Sequence, residues 1–213
     1  MLELIEEGES LVCEFKRKFS SHEKIAREMI AFANTKGGYL IFGVDDDKTL
    51  VGVESEKEIA ELIKETALDY CEPSLEFKNC FLEVKGKEIV VAEIPESDNK
   101  PHRIQDYQDK LNISKAIITI RVADKSVLAS KEMVRIMRAE TENKALKKYS
   151  IGPLEKSVFE YLNNNKSISV KELENLSNIS ERRASRTLVK MVRAKLLAIH
   201  VKDNGEEFFT SIG

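Results

Sequence analysis

The sequence predicts an α+β protein in two parts, a mixed sheet with flanking helices followed by a smaller unit of helices and one hairpin. Three observations carry this. Residues 11–16 alternate apolar and polar, and residues 39–44 run continuously apolar, with a helical stripe rather than a turn between them. Residues 75–84 and 88–94 flank Lys85-Gly86-Lys87 as a hairpin. Finally, Ser150-Ile151-Gly152-Pro153 punctuates the chain before a self-contained second pattern, which sets domains at 1–148 and 153–213.

Taken in order, the first strand turns Leu11, Cys13 and Phe15 to the core and Val12, Glu14 and Lys16 to the other face. Ser20 and Glu23 have capping-box spacing, and the helix they open buries Ile25, Met29, Ile30 and Phe32 or Ala33. Gly37-Gly38 ends that helix, because glycine tolerates a left-handed turn. Residues 39–44 form the central strand, Asp45-Asp46-Asp47-Lys48 a turn, and residues 49–53 the next strand. Ser55 caps a helix over 55–70 that Pro73 stops. After the hairpin, residues 95–112 read as a long polar loop holding Lys100, His102 and Arg103, best taken as solvated. Residues 116–122 are a strand, and residues 130–147 a helix. Beyond 153, Leu154, Val158, Phe159 and Leu162 mark one helix, and Val170, Leu173 and Leu176 a second. Ser180 caps a third, with Ala184, Leu188, Met191 and Val192 inward. Two strands then surround Asp203-Asn204-Gly205.

Composition narrows the function. With 42% hydrophobic and 33% charged residues the chain is of soluble, globular type. No signal peptide or membrane-length apolar run is visible, which points to the cytoplasm and away from a membrane. Cys13, Cys71 and Cys80 lack metal-type spacing and read as buried free thiols. No Gly-x4-Gly-Lys-Ser/Thr phosphate loop exists. The net charge of −3 argues against indiscriminate coating of nucleic acid. Residues 150–213, however, carry ten Lys and Arg against eight Asp and Glu, so the C-terminal part is the more plausible phosphate-facing one.

Glu9 with Glu14-Phe15-Lys16, then Ala31-Phe32-Ala33-Asn34-Thr35, Gly37-Gly38-Tyr39-Leu40 and Gly43-Val44-Asp45-Asp46, together resemble the Schlafen-type AlbA domain. Arg121 to Ser126 with Ala129-Ser130 resembles that family's closing motif, and Ala123 stands where many members have glycine. In some eukaryotic Schlafen proteins, positions matching Glu9, Glu14 and an aspartate form a metal-dependent ribonuclease site. The resemblance therefore implies a catalytic trio of Glu9, Glu14 and Asp45 holding Mg²⁺ or Mn²⁺, with Asp46 and Asp47 as alternative third members. Five-residue spacing in an unbroken strand would put Glu9 and Glu14 on opposite faces, though Gly8 and Ser10 could supply a bend that makes them converge. The bland reading is a turn at Asp45 and a surface pair of Glu14 with Lys16. Because a carboxylate cluster without its ion is repulsive, neutralising Glu14 is expected to leave folding intact. The resemblance also implies a homodimer.

The C-terminal order of three helices and a hairpin resembles a winged helix-turn-helix domain. On its third helix, Arg182, Arg183, Ser185, Arg186 and Lys190 fall largely outward, where a recognition helix presents phosphate and base contacts. The expected function is nucleic-acid binding, DNA before RNA, as a transcriptional regulator. The alternative is a metal-dependent endonuclease acting on RNA or single-stranded nucleic acid.

Overall fold

Two opposite faces of one sheet need covering, and in the computed structural model, which describes residues 1–142 and 149–212, different segments do it. The chain divides into two units, Met1–Leu128 and Ala129–Gly213. The first contains α1 (Leu2–Glu7), β1 (Cys13–Lys16), α2 (His22–Asn34), β2 (Gly38–Phe42), α3 (Glu56–Asp69), β3 (Cys71–Glu72), β4 (Lys78–Val84), β5 (Lys87–Ile94), β6 (Arg103–Ile104), β7 (Thr119–Val122) and β8 (Lys125–Leu128). The main sheet runs β1-β2-β5-β4, with β1 and β2 parallel and the remaining pairs antiparallel. It is a mixed sheet with flanking helices, as expected.

Strand alternation sorts the two cores. Leu40, Phe42, Val90 and Ala92 pack against Ile25, Met29 and Phe32 of α2 and Ile63 of α3. Ile41, Ile89 and Val91 share the other face with Cys13, Phe15 and Ile5 of α1. Ser21, one residue later than expected, caps α2 by accepting from Lys24 N, whereas Ser55 caps α3 as expected. Gly37 (φ 71°) turns the chain after α2, and a Cβ there would lie 2.7 Å from the backbone of Ile94 and Glu96.

Some expectations are corrected. Leu11 and Val12 form a turn rather than strand, because Ser10 bridges back to Cys13. Residues 49–53 contribute a single bridge, Val44 to Leu50, not a strand. The loop after Pro95 is not solvated at its centre: His102 and Arg103 are buried, and β6 pairs with β3. Cys13 and Cys71 are buried free thiols, but Cys80 is exposed on β4.

The strand expected over 116–122 begins only at Thr119 and turns back into a β7–β8 hairpin, whose turn places Ala123 at φ 52°. A left-handed conformation costs a Cβ-bearing residue roughly 1–2 kcal/mol, against the smaller entropic penalty of glycine. Ala123 is exposed, so no packing opposes the exchange. Ala123→Gly is expected to raise stability by about 0.5–1 kcal/mol in a urea melt; a loss would show that the turn is not strained.

The second unit holds α4 (Lys131–Thr141), α5 (Pro153–Asn164), α6 (Val170–Ser177), α7 (Glu181–Arg193), β9 (Leu197–Val201) and β10 (Glu207–Ser211). Its core joins Val158, Leu173, Ala184, Leu188, Met191, Leu197 and Phe209. The antiparallel β9–β10 hairpin is extended by an Ile168–Phe209 bridge. Division after Leu128 puts α4 with this unit, because α4 buries Val134, Ile136 and Met137 and packs along α7. The helix end expected at 147 and the domain limit expected at 148 lie outside the described residues.

Candidate nucleic-acid interface

The three carboxylates of the N-terminal trio each make contacts of their own. Glu14 is 8% exposed on β1. Its Oε2 accepts from Arg121 Nη1 at 2.8 Å, and its Oε1 from Lys16 Nζ. Glu9 turns inward through the Gly8–Ser10 bend and accepts from Phe15 N at 3.0 Å. Burial first, then the charges of Glu14 and Asp46, push the Glu9 carboxyl above the usual carboxylate range, while the Phe15 N–H and Lys16 oppose them. Asp45 accepts from Arg17 Nη1 at 2.8 Å near the surface.

Glu9 and Glu14 are therefore brought together, but Asp45 serves a separate ion pair. Among the described residues no three His, Cys, Asp or Glu side chains form a group able to hold a metal ion. The donor set does not fit Mg²⁺ or Mn²⁺: the most buried carboxylate already faces two cations, whose charge opposes a divalent ion. Glu14 does pair with Lys16, but not on the surface as expected, because Glu14 is buried, and it has a larger role.

That role belongs to its contact with Arg121, a residue of the 121–126 motif to which no local pattern gives a role. Its side chain is fully buried. Nη1 reaches Glu14, Glu28 at 3.3 Å and Ser126 Oγ at 3.3 Å. Nη2 donates to Ser10 O at 2.7 Å and Cys13 O at 3.4 Å, and the guanidinium lies 4.8 Å from the Phe32 ring centre. The site is a lock on the N-terminal strand, not an open pocket.

The second candidate is α7. Its cap is Ser180, and Ala184, Leu188 and Met191 anchor the inner side. Arg182, Arg183, Arg186 and Lys190 are exposed. Ser185, expected outward with them, is instead buried at 4%. Its hydroxyl donates to Glu132 Oε1 and accepts from Arg135 Nη1 at 3.0 Å, because α4 covers that flank. In the hairpin, Lys202 pairs with Glu206 at 3.2 Å. Glu207 turns in to accept from Ser130 Oγ, and burial, aided by Glu132, pushes its carboxyl up to about 7. Residues that sequence reasoning missed are Arg135 and Arg138, which stand beside α7 on α4.

An arginine-locked α+β unit followed by a unit with an exposed basic helix defines a class, and its sequence assigns the family. Residues 9–130 match the Schlafen, AlbA_2 family, and the chain belongs to it. Among solved structures, the chain is similar to the N-terminal domain of a RecG-related protein from Nitrosomonas europaea, at 28% identity and a TM-score of 0.41, covering 51% of this chain and 81% of that one. It is also similar to the DIP2311 protein from Corynebacterium diphtheriae, at 15% identity and a TM-score of 0.45, covering 94% of this chain and 38% of that one. No curated protein matches it. No helix among the described residues is long and apolar enough to cross a membrane.

Proposed function

We propose that this chain is a nucleic-acid-binding protein of the cytoplasm, acting as a DNA-binding regulator of transcription through α7. One observation carries the reading. Arg182, Arg183, Arg186 and Lys190 are exposed on one capped helix, and among the described residues none of the four is held in an ion pair. Elsewhere the chain is acidic on balance, so the cations are concentrated where a helix is free to approach phosphates. Membership of the Schlafen, AlbA_2 family fits this reading. A homodimer would offer two such helices to a palindromic site.

The test is direct. Replacing Arg182, Arg183 and Arg186 together by alanine should weaken duplex DNA binding and lower its salt dependence by roughly 0.9 per lost phosphate contact. An unchanged binding curve and slope would overturn the assignment.

A further inference from the structure

We propose that α4 and α7 together seat one sugar–phosphate strand, with Arg135 and Arg138 of α4 supplying contacts that α7 alone does not make. The inference rests on the reading of α7 as the nucleic-acid face and extends it to a second helix. A groove of about 560 Å³ runs between the two helices. Arg135 and Arg138 line one bank, and Arg182, Arg186, Lys190 and Arg193 the other, while Glu142 is the one carboxylate in the lining. Side chains three or four apart on a helix share a face one turn apart, so each bank is a row of cations parallel to its axis. Two such rows facing each other concentrate positive potential between them.

The position of α4 is built, not incidental. Ser130 caps it, and Val134, Ile136 and Met137 are buried. Glu132 accepts from both Ser185 and Arg135, which ties α4 to α7 and draws that carboxylate away from the groove. Arg138 remains half exposed and pairs with Glu142 at 3.3 Å. Such an exposed pair contributes little, so exchange of Glu142 for a phosphate oxygen is easy, and the arginine fork matches phosphate geometry. No described residue lining the groove is a neutral hydrogen-bonding side chain. The α4 arginines are assigned to the backbone, where a guanidinium fork meets phosphate oxygens whatever the sequence.

The test uses the full chain and fluorescently labelled duplex DNA over a salt series. Arg135→Gln with Arg138→Gln should lower the slope of log affinity against log salt by about two units, equally on unrelated duplex sequences. A single strand of equal length should also lose slope if the seat takes one strand, by about 1.4 units, because less counterion is released per contact there. If this variant binds as the parent while Arg182→Ala with Arg186→Ala loses binding, the groove inference fails and the α7 reading stands. If neither variant changes binding, both fail. Displacement of DNA by polyglutamate at equal charge concentration would also overturn the phosphate seat. Circular dichroism checks folding; should Arg135→Gln disturb it, Arg138→Gln alone must still lower the slope by about one unit, or the inference is wrong.

Discussion

Arg121→Met is expected to destabilise the first unit by about 3–5 kcal/mol, the cost of breaking a buried ion pair from one side. The replacement matches the bulk of the aliphatic stem, so loss of packing is a minor contribution. What remains behind is costly. Among the described residues Glu14 keeps Lys16 and Glu28 keeps Ser126, and the carbonyls of Ser10 and Cys13 lose the fork that served them. Arg121→Lys restores a charge but one ammonium cannot reach all these acceptors, so it should recover only part of the loss. A drop in melting temperature on the order of 10 °C is the expected readout. Glu14→Gln should destabilise as well, against the expectation drawn from sequence that folding would be indifferent to it. Combining it with Arg121→Met should cost less than the sum, because the two act on one interaction. Full additivity, or an Arg121→Met loss under about 1 kcal/mol, would remove the lock from the account.

How much of this was legible follows from where each signal resides. Local periodicity and caps carried α2, α3, β2, β5 and the helices of the second unit, because each is decided by neighbours within a turn or a strand. The role of Arg121 was not local. Its partner Glu14 lies 107 residues earlier, and the visible signal was only an arginine inside the apolar run of residues 117–122. A charge in such a run calls for a buried counter-ion. The carboxylate trio shows the converse. Its spacing brings Glu9 and Glu14 together through the expected bend, yet spacing says nothing of the cations that occupy Glu14. The helical wheel of α7 alone turns Ser185 outward. The wheel holds for α7 in isolation, but α4 packs on that flank, and the sequence boundary at residue 148 groups α4 with the other domain.

Asn34 carries the second large effect, through bonds that no sequence pattern announces. It is 5% exposed at the end of α2. Its Nδ2 donates to His102 O at 2.9 Å and Thr119 O at 3.0 Å, and its Oδ1 accepts from His102 N at 2.8 Å. One amide thus fastens the loop after Pro95 and β7 to the helix, beside the buried His102 and Arg103. Asn34→Ala leaves three buried backbone groups without partners, each worth about 1–3 kcal/mol, so a loss of roughly 3–5 kcal/mol is expected after partial relaxation. Asn34→Asp should be worse near pH 8. It keeps the acceptor for His102 N but aims a carboxylate oxygen at two carbonyls. Burial and those carbonyls raise the introduced group's pKa, so it destabilises at high pH and the penalty fades as protonation restores a donor. Burial, the first of its causes, also lowers the pKa of His102, so the unfolded chain binds more protons below about 6.5 and every variant retaining the packed loop loses stability there. The quantity to measure is therefore the difference between Asn34→Asp and Asn34→Ala in paired urea melts at pH 8 and pH 5. It should be a clear deficit at pH 8 that narrows at pH 5. A constant difference, or Asn34→Ala as stable as the parent, would mean that the loop is held by its own packing and not by this amide.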